Sequence, residues 1–479
     1  MHDPTPRLLL FDDNIHSLGG HFLELASLLI QGAKQLGYTT CLATHHSFKA
    51  FDSVDFANEV FPVFRVRRMV EWSLGVDGRS KVRRKVDGSS VGGSWMENQR
   101  QALRGPLSRH ERRPQVMLHR WSQAFFDLLS HWQVDSRDTL VVNTGDDFVL
   151  LALATALAKR DAIDPDATPL TIHIVFHFGV YDPITTEQRK RQFGAQVNDT
   201  LRQMASHHLH LHATTHSLTS QLKQVGVSVT PIPYPTRYRP PSLGSCDPSG
   251  RRKIVLAGTP RPEKGRHMIP ELLSTIHHPY LSNGEYQMSM QMPARRWKRM
   301  IPVSMRPEYR RASAADSQSV ASPSKGLFEI KPSDMPATDY HRWLDTADVG
   351  LFLYEPERYV ARCSGVLLEM LIRGVPVIVP NRCWLADQVR EAGGEGSVGY
   401  IYNSLDQIPE ILDRLGKDYE SIRRQSIQYA SEIARRHASV NTLRQMGIAD
   451  ARQVHLHRVP LRPTTNEFSR GLQGTHACN

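Results

Sequence analysis

The apolar positions of the chain alternate between short continuous runs and longer amphipathic stretches. Residues 7–11 (RLLLF) form one apolar run, and a polar loop that ends in Gly19 and Gly20 follows it. From Phe22 to Leu36 the apolar residues recur at steps of three and four, which is the spacing of an amphipathic helix. This order predicts a strand, a glycine loop and a helix.

Further runs of strand length occur in both halves, with helical patterns such as 366–373 between them. They are residues 39–44, 139–143 and 170–176 in the first half, and 253–257, 348–353 and 375–379 in the second. Alternating strands and helices predict an α/β fold, here two doubly wound, Rossmann-like domains. Five prolines between Pro231 and Pro241 mark a linker and hinge. We therefore expect domains at 1–240 and 250–445, facing each other across a ligand-binding cleft.

Charge is concentrated outside these patterns. The 479 residues carry a net charge of +11, with 40% hydrophobic residues, which excludes collagen-like, disordered and disulfide-scaffold classes. Residues 65–113, 295–325 and 451–479 together carry +17, so the other 370 residues carry −6. We predict two mobile basic insertions and a disordered tail. Two interpretations remain open for the 65–113 insertion: it contacts an anionic membrane or glycan surface, or it is simply solvated.

Three further features narrow the class. The five cysteines are far apart and show no CxxC spacing, so neither a disulfide framework nor a structural zinc site is expected. The longest apolar stretch, 148–158, is too short for a membrane helix. No motif resembles an RNA-binding signature or a helix-turn-helix, so no nucleic-acid partner is expected. These features predict a cytoplasmic protein, with any membrane contact peripheral.

Two loops carry candidate chemistry. Gly258, Arg261, Lys264 and Gly265 follow a predicted strand, where basic side chains either neutralise a diphosphate or form a solvated loop. Further on, 363–366 (CSGV) opens a predicted helix, and small residues there present main-chain N–H groups to phosphate. Glu369 lies one turn in, where it either accepts hydrogen bonds from vicinal hydroxyls or complements the helix dipole.

In this order the segments resemble those of the GT-B glycosyltransferases, specifically the glycosyltransferase family 4 type, over roughly 370 residues. Four stretches carry the resemblance: the Gly19-Gly20 loop, residues 215–235, residues 258–265 and residues 364–376. The resemblance implies a nucleotide-diphosphate sugar donor bound mainly by the C-terminal domain. It also implies an acceptor bound by the N-terminal domain, and sugar transfer with retention of configuration. The acceptor class, whether glycan, lipid or small molecule, stays open. No metal and no cofactor beyond the donor is implied.

Residue roles follow from the same resemblance. Lys264 would stabilise the leaving diphosphate and Glu369 would hold the ribose. His177, at the end of the fourth predicted strand, would orient the sugar or the acceptor. The other donor-binding candidates are Gly19, Gly20, Gly258, Arg261, Ser364, Gly365 and Val366.

The sequence departs from the family pattern at two positions. Thr259 stands where the family has an arginine, and the basic residue follows two positions later as Arg261. Ala361 stands where the family has its first glutamate, eight residues before Glu369, and Glu355 or Glu357 could replace it only through a re-routed loop. The second departure leaves an alternative open: a catalytically silent GT-B protein that binds a sugar nucleotide or acts as a scaffold.

Three histidines alternate along residues 207–213 (HHLHLHA). His208, His210 and His212 would share one face of a strand and form a metal set, or would hydrogen-bond locally. Because no neighbouring carboxylate is available as a second partner, we favour local hydrogen bonding and assign no metal site.

Overall fold

The computed structural model describes residues 5–16, 21–49, 56–65, 114–178, 186–241, 250–293, 297–315, 327–333 and 335–451. Two parallel sheets organise this part of the chain. None of the described helices is long and apolar enough to cross a membrane. The predicted insertion at 65–113 (apart from Arg65), the predicted tail beyond Ala451 and the Gly19-Gly20 loop lie outside the described residues.

The first sheet has seven strands, all parallel, in the order β3-β2-β1-β4-β5-β6-β7. The strands are β1 Arg7–Phe11, β2 Thr39–His45, β3 Glu59–Phe64, β4 Thr139–Val142, β5 Thr171–Phe176, β6 His208–Ala213 and β7 Thr230–Pro231. The helices of this half are α1 His21–Gln35, α2 Pro114–His131, α3 Asp147–Ile163, α4 Glu187–Gln203 and α5 His216–Gln224.

The second sheet has six parallel strands in the order β10-β9-β8-β11-β12-β13. Its strands are β8 Arg252–Leu256, β9 Tyr286–Gln291, β10 Phe328–Lys331, β11 Val349–Leu351, β12 Val377–Pro380 and β13 Gly399–Tyr402. Its helices are α6 Ile269–Ile276, α7 Arg306–Ala315, α8 Ala337–Leu344, α9 Gly365–Ile372, α10 Trp384–Glu391 and α11 Ile408–Arg436; the last described helix is α12 Ser439–Gln445.

Successive side chains of the central strands pack on opposite faces of each sheet. Leu8 and Leu10 of β1 belong to one buried apolar cluster, whereas Leu9 belongs to another. In β8, Ile254 and Val255 are divided between two clusters in the same way. Strand side chains alternate between the two faces of a sheet, and here both faces are buried. Both sheets are therefore covered on both sides, as expected for parallel sheets with helices on each face. The predicted pair of doubly wound α/β folds is therefore confirmed.

The strand order fixes where ligands bind in folds of this kind. It reverses direction between β1 and β4 in the first sheet and between β8 and β11 in the second. A crevice opens at the carboxyl ends of the strands at such a reversal. The segments that follow β1, β4, β8 and β11 are therefore the ones to inspect for a site.

The end of the described chain returns to the first half of the fold. Helix α12 packs on α1, where a Cβ added to Gly32 would lie 2.9 Å from Ser439 Oγ. Leu443 is fully buried in a cluster with residues of β1 and α1. The Thr442 hydroxyl donates to the Pro233 carbonyl at 3.1 Å. Helix α12 therefore packs the end of the described chain onto the first half of the fold.

The prediction of a mobile loop at 295–325 is wrong for residues 297–315. This segment contains α7, and Trp297 stacks on Tyr309 with ring centres 4.5 Å apart. Met305 and Tyr309 are buried in the apolar cluster of the second sheet. Apolar residues spaced three to five apart carry a helical pattern here, which the many basic residues between them obscured.

Candidate functional site

The loop after β8 brings a glycine and a lysine into close contact. Gly258 adopts φ +89°, and its N–H donates to Gln291 Oε1 at 2.9 Å. A Cβ at this position would lie 2.5 Å from Lys264 Nζ. Glycine is favoured by the left-handed backbone, and a Cβ here would also displace the Lys264 ammonium. The predicted pair Gly258 and Lys264 is therefore brought together.

A short turn fixes the position of Lys264. The 3-10 turn Pro262–Lys264 ends at Gly265, whose φ is +68° and whose Cβ, if present, would lie 1.8 Å from the Leu353 carbonyl oxygen. The Lys264 ammonium lies 5.3 Å from the centre of the Tyr354 ring. Across the described residues it makes no hydrogen bond and no ion pair. Burial lowers the pKa of Lys264, so its positive charge is poorly solvated in the free protein.

Helix α9 is connected to this loop through Tyr354: the Ser364 hydroxyl donates to the Tyr354 hydroxyl at 3.5 Å, and the Tyr354 ring lies next to Lys264. Ser364 is its N-cap: the Ser364 Oγ accepts a hydrogen bond from the Leu367 N–H at 3.3 Å. The N–H groups of Gly365 and Val366 belong to the first turn, which has no partners within the helix. The helix dipole places partial positive charge at this end. The start of α9 therefore has the polarity that a phosphate requires.

Glu369 lies one turn further along α9. The Tyr340 hydroxyl donates to Glu369 Oε2 at 3.0 Å. Burial raises the pKa of Glu369 to about 7, with a smaller contribution from the charge of Glu24, while Arg373 and Tyr340 act in the opposite direction. A carboxyl group held partly protonated near neutral pH is typical of a binding or catalytic site.

Two neighbours of Glu369 were not predicted from the sequence. Arg373 is fully buried; its Nε donates to Asp345 Oδ1 at 2.7 Å and its Nη1 donates to the Glu369 carbonyl at 2.9 Å. Tyr340 holds the carboxylate itself. Arg373 could have been found from the sequence, because it lies four residues after Glu369 on the same helix. Tyr340 could not, because it belongs to α8 and no spacing in the sequence connects it to Glu369.

The loop with Lys264 and helix α9 form one wall of the site. The other wall is formed by residues that follow strands of the first sheet. His177 is buried directly after β5, and its Nε2–H donates to the Asn143 carbonyl at 2.6 Å. Burial lowers the pKa of His177 to about 4, so the ring is neutral at pH 7 with Nδ1 as its hydrogen-bond acceptor. Asn143 in turn donates to Asp12 Oδ2 at 2.7 Å.

Asp12 is a third residue that was not predicted from the sequence. It is buried directly after β1, and burial, together with the charge of Asp13, raises its pKa to about 7. Asp12 and Asn143 follow the two strands between which the first sheet reverses. Polar residues directly after the apolar runs 7–11 and 139–142 were the signal that could have found them.

The two walls touch through an aromatic residue of the linker. The ring centres of His177 and Tyr234 lie 5.9 Å apart in an edge-on arrangement. A Cβ added to Gly365 would lie 3.6 Å from Tyr234 Cε1. The structure thus brings the predicted His177 and the predicted start of α9 against the same tyrosine. Gly19 and Gly20 fall outside the described residues.

A polar network also connects the walls behind Glu369. Glu24 of α1 accepts a hydrogen bond from Arg237 Nε at 2.7 Å and lies 4.0 Å from His341 Nε2. His341 Nδ1 lies 3.2 Å from Arg373 Nη2. Burial lowers the pKa of His341 to about 4, so this ring is neutral at pH 7 and connects Glu24 to Arg373 by polar contacts rather than by charge.

Ala361 occupies a buried position against the first half of the fold. It is 3% exposed and packs in the apolar cluster of the first sheet, and its carbonyl accepts a hydrogen bond from Thr215 Oγ1 at 2.9 Å. Neither proposed replacement carboxylate reaches it: Glu355 pairs with Arg358 at 2.7 Å, and Glu357 is exposed. The described segment therefore offers no carboxylate at this position.

Arg261 directly precedes the turn that ends at Lys264. Its side chain is 55% exposed and its Nη1 is 4.0 Å from Glu263 Oε1. Its charge contributes to lowering the pKa of Lys264, so the two cations are neighbours, and the role of Arg261 in donor binding stays a prediction.

The alternating histidines of β6 pair with β5. His173 Nδ1 lies 3.0 Å from His212 Nε2, and the rings of His173 and His210 stack with centres 4.7 Å apart. Burial lowers the pKa of His212 to about 4. No group of three or more His, Cys, Asp or Glu side chains in the described ranges is arranged to hold a metal ion.

Comparison with known proteins establishes the fold. No protein-family profile matches the sequence, and no curated protein sequence matches it. Among solved structures, a glycosyltransferase from Rickettsia africae ESF-5 aligns with a TM-score of 0.53 at 13% identity, over 96% of this chain and 100% of that one. The lipopolysaccharide outer core galactosyltransferase WaaB gives 0.53 at 11%, over 92% and 99%.

A third structure, the trehalose-6-phosphate synthase OtsA, gives a TM-score of 0.52 at 11% identity, over 95% of this chain and 99% of that one. The similarity to these proteins spans both sheets and nearly the whole of each chain. The chain therefore has the GT-B fold, as the resemblance implied. At identities this low, what is established is the fold alone, and the assignment to the family 4 type stays a prediction.

Proposed function

We propose that this protein is a glycosyltransferase that takes a sugar from a nucleotide-diphosphate donor and transfers it, with retention of configuration and without a metal, to an acceptor hydroxyl. The observation that carries the proposal is that Lys264 and the N-cap of α9, Ser364, both contact Tyr354. Lys264 has an ammonium group without a hydrogen-bonded or ionic partner in the described structure, and it lies in the loop that Gly258 and Gly265 shape. Glu369 lies one turn into the same helix.

In the proposed reaction the bond between the anomeric carbon and the diphosphate oxygen breaks, the acceptor oxygen bonds to that carbon, and the proton of the acceptor hydroxyl passes to the leaving diphosphate. Negative charge grows on the diphosphate as it leaves. Lys264 and the N–H groups of Gly365 and Val366 would stabilise that charge, because preorganised donors act strongly where water is excluded. Glu369 would hold the ribose hydroxyls, and neutral His177 would orient the sugar or the acceptor through Nδ1.

A thermal-shift screen identifies the donor. The panel consists of ADP, GDP, UDP, CDP and dTDP, each with its common sugar conjugates and its free nucleoside. We expect at least one nucleoside diphosphate and its sugar to raise the melting temperature, because a ligand that binds only the folded state stabilises it. Glu369→Ala should abolish the part of the shift that the nucleoside contributes. The proposal fails if every compound leaves the melting temperature unchanged.

The second candidate is a catalytically silent protein that binds a sugar nucleotide. Buried Ala361 favours it, because the carboxylate that the family places there to contact the transferred sugar is absent. This candidate predicts the same thermal shift but no nucleoside diphosphate released in the presence of acceptors. Release of nucleoside diphosphate that depends on an acceptor rules it out.

We also propose that the basic segment 65–113 brings the enzyme to an anionic surface. Its 13 Lys or Arg against 5 Asp or Glu support this, since each cation near an anionic membrane contributes roughly 1 kcal/mol. Sedimentation with phosphatidylserine-containing and with neutral vesicles tests it. Equal binding to both vesicle types excludes the membrane role.

A further inference from the structure

The enclosed part of the site contains a second cation that the sequence analysis did not select. Arg362 lies two residues before the N-cap of α9 and is half-buried. Its guanidinium lies 5.1 Å from the centre of the Phe178 ring and 5.3 Å from the centre of the Tyr359 ring. Aromatic faces hold a guanidinium in place without neutralising it.

Arg362 has no anionic partner in the described structure. It makes no hydrogen bond or ion pair there, and its contacts are with the two rings. By contrast, buried Arg373 pairs with Asp345 and half-buried Arg358 pairs with Glu355. A partly buried cation without a counter-ion is costly unless a ligand provides the negative charge.

The position of Arg362 relates it to both walls of the site. Its charge contributes to lowering the pKa of Lys264 on one wall and of His177 on the other. Arg362 and Lys264 therefore repel each other in the free protein, and an anion between them would relieve that repulsion. Phe178 follows β5 and Tyr359 belongs to the second half, so the guanidinium stacks on one ring from each half of the fold.

Arg261, the basic residue that the sequence favoured, also contributes to lowering the pKa of Lys264, but its surroundings differ from those of Arg362. Its side chain is mostly exposed, and it has Glu263 as an acidic neighbour. Solvent already screens such a charge, so its interaction with a phosphate is weak.

We propose that Arg362, together with Lys264, binds the diphosphate of the donor. This assignment rests on the proposed function. The planar guanidinium offers paired N–H donors that match two phosphate oxygens, whereas the Lys264 ammonium acts as a point charge. As the anomeric carbon–oxygen bond breaks, the two cations share the charge that develops on the diphosphate. The stacking on Phe178 would connect diphosphate binding to the contact between the two halves of the fold.

The test is calorimetric titration of the full-length protein with inorganic diphosphate and with the nucleoside diphosphate and free nucleoside selected by the thermal screen. Arg362→Gln and Arg261→Gln each remove one positive charge, so they are matched for net charge. Loss of charge-assisted hydrogen bonds predicts a roughly 10- to 100-fold weaker affinity for both diphosphates in Arg362→Gln, and less than about threefold in Arg261→Gln. The affinity for the nucleoside should stay unchanged in both.

The assignment is overturned if Arg261→Gln weakens diphosphate binding as much as Arg362→Gln, or if Arg362→Gln weakens nucleoside binding equally. If Arg362→Gln does not fold, Arg362→Lys decides, because it keeps the charge but loses the fork, and a loss under about twofold for inorganic diphosphate counts against the proposal. If the wild-type protein binds no diphosphate at all, the proposed function itself fails. If it binds diphosphate but is unaffected by the Arg362 variants, only the assignment of Arg362 fails.

Discussion

Replacing Glu369 by glutamine should stabilise the free protein while it removes a binding group. Burial raises the pKa of Glu369 to about 7 from its ordinary value of 4.5. A carboxyl group whose pKa is higher in the folded state favours folding only in its protonated form, so its contribution is intact below pH 4.5 and is lost as the pH rises through 7. Linkage over that difference gives a cost of about 1 kcal/mol at pH 5.5 and about 3 kcal/mol at pH 8.5.

The glutamine keeps the size of the side chain and an oxygen that accepts from Tyr340, so Glu369→Gln mainly removes the charge. We expect its free energy of unfolding, measured by urea denaturation from pH 5.5 to 8.5, to exceed the wild-type value by about 1 to 3 kcal/mol, with the gain growing as the pH rises. Glu357→Gln, at an exposed position, is the control and should show no gain. If Glu369→Gln is destabilised, or if its gain in unfolding free energy does not depend on pH, the pKa of Glu369 is not raised in the folded protein.

Three further substitutions and one control test the fold. Gly265→Ala should lower the free energy of unfolding, measured by urea denaturation, by several kcal/mol and should weaken diphosphate binding. The control Gly394→Ala, also at positive φ but with open space at the Cβ position, should lower it by only about 1 to 2 kcal/mol. Equal losses would contradict the close approach at Gly265. The pKa of His212 is lowered to about 4, so the free energy of unfolding of the wild type should decrease as the pH drops below 6.5. In His212→Phe this decrease should be smaller by about 2 kcal/mol at pH 5. An unchanged pH profile would contradict this. Ala361→Glu should destabilise the protein by about 3 kcal/mol or more without increasing turnover, since it buries an unpaired carboxylate; a stable and more active variant would show that the loop re-routes.

The fold was largely predictable because its elements carry periodic signals. The run at 7–11 and the helical spacing from Phe22 to Leu36 correspond to β1 and α1. The loop with Gly258 and Lys264 and the helix with Glu369 were likewise found, since glycine and charge at strand and helix ends are local features. The helix at 306–315 was missed because its buried residues, Tyr309 and Ala312, stand among three arginines.

The remaining parts of the site depend on contacts between distant segments. Tyr340 reaches Glu369 across 29 positions of sequence, and Asn143 reaches Asp12 across 131. The sequence alone does not show which of the two arginines, Arg362 or Arg261, would bind the donor. They differ in burial and in the neighbouring Glu263, and both differences are seen only in the structure. Such pairings arise from tertiary packing, which leaves no periodic pattern in a single sequence.

The most direct test of the central claim is release of nucleoside diphosphate from a donor panel in the presence of mixed glycan, lipid and small-molecule acceptors. We expect release from at least one sugar nucleotide to depend on an acceptor, and Lys264→Ala to slow it by about 100-fold, because that variant removes a charge that stabilises the leaving group. If no donor yields nucleoside diphosphate, or if Lys264→Ala and Glu369→Ala leave the release rate unchanged, the protein is not a glycosyltransferase that works through this site.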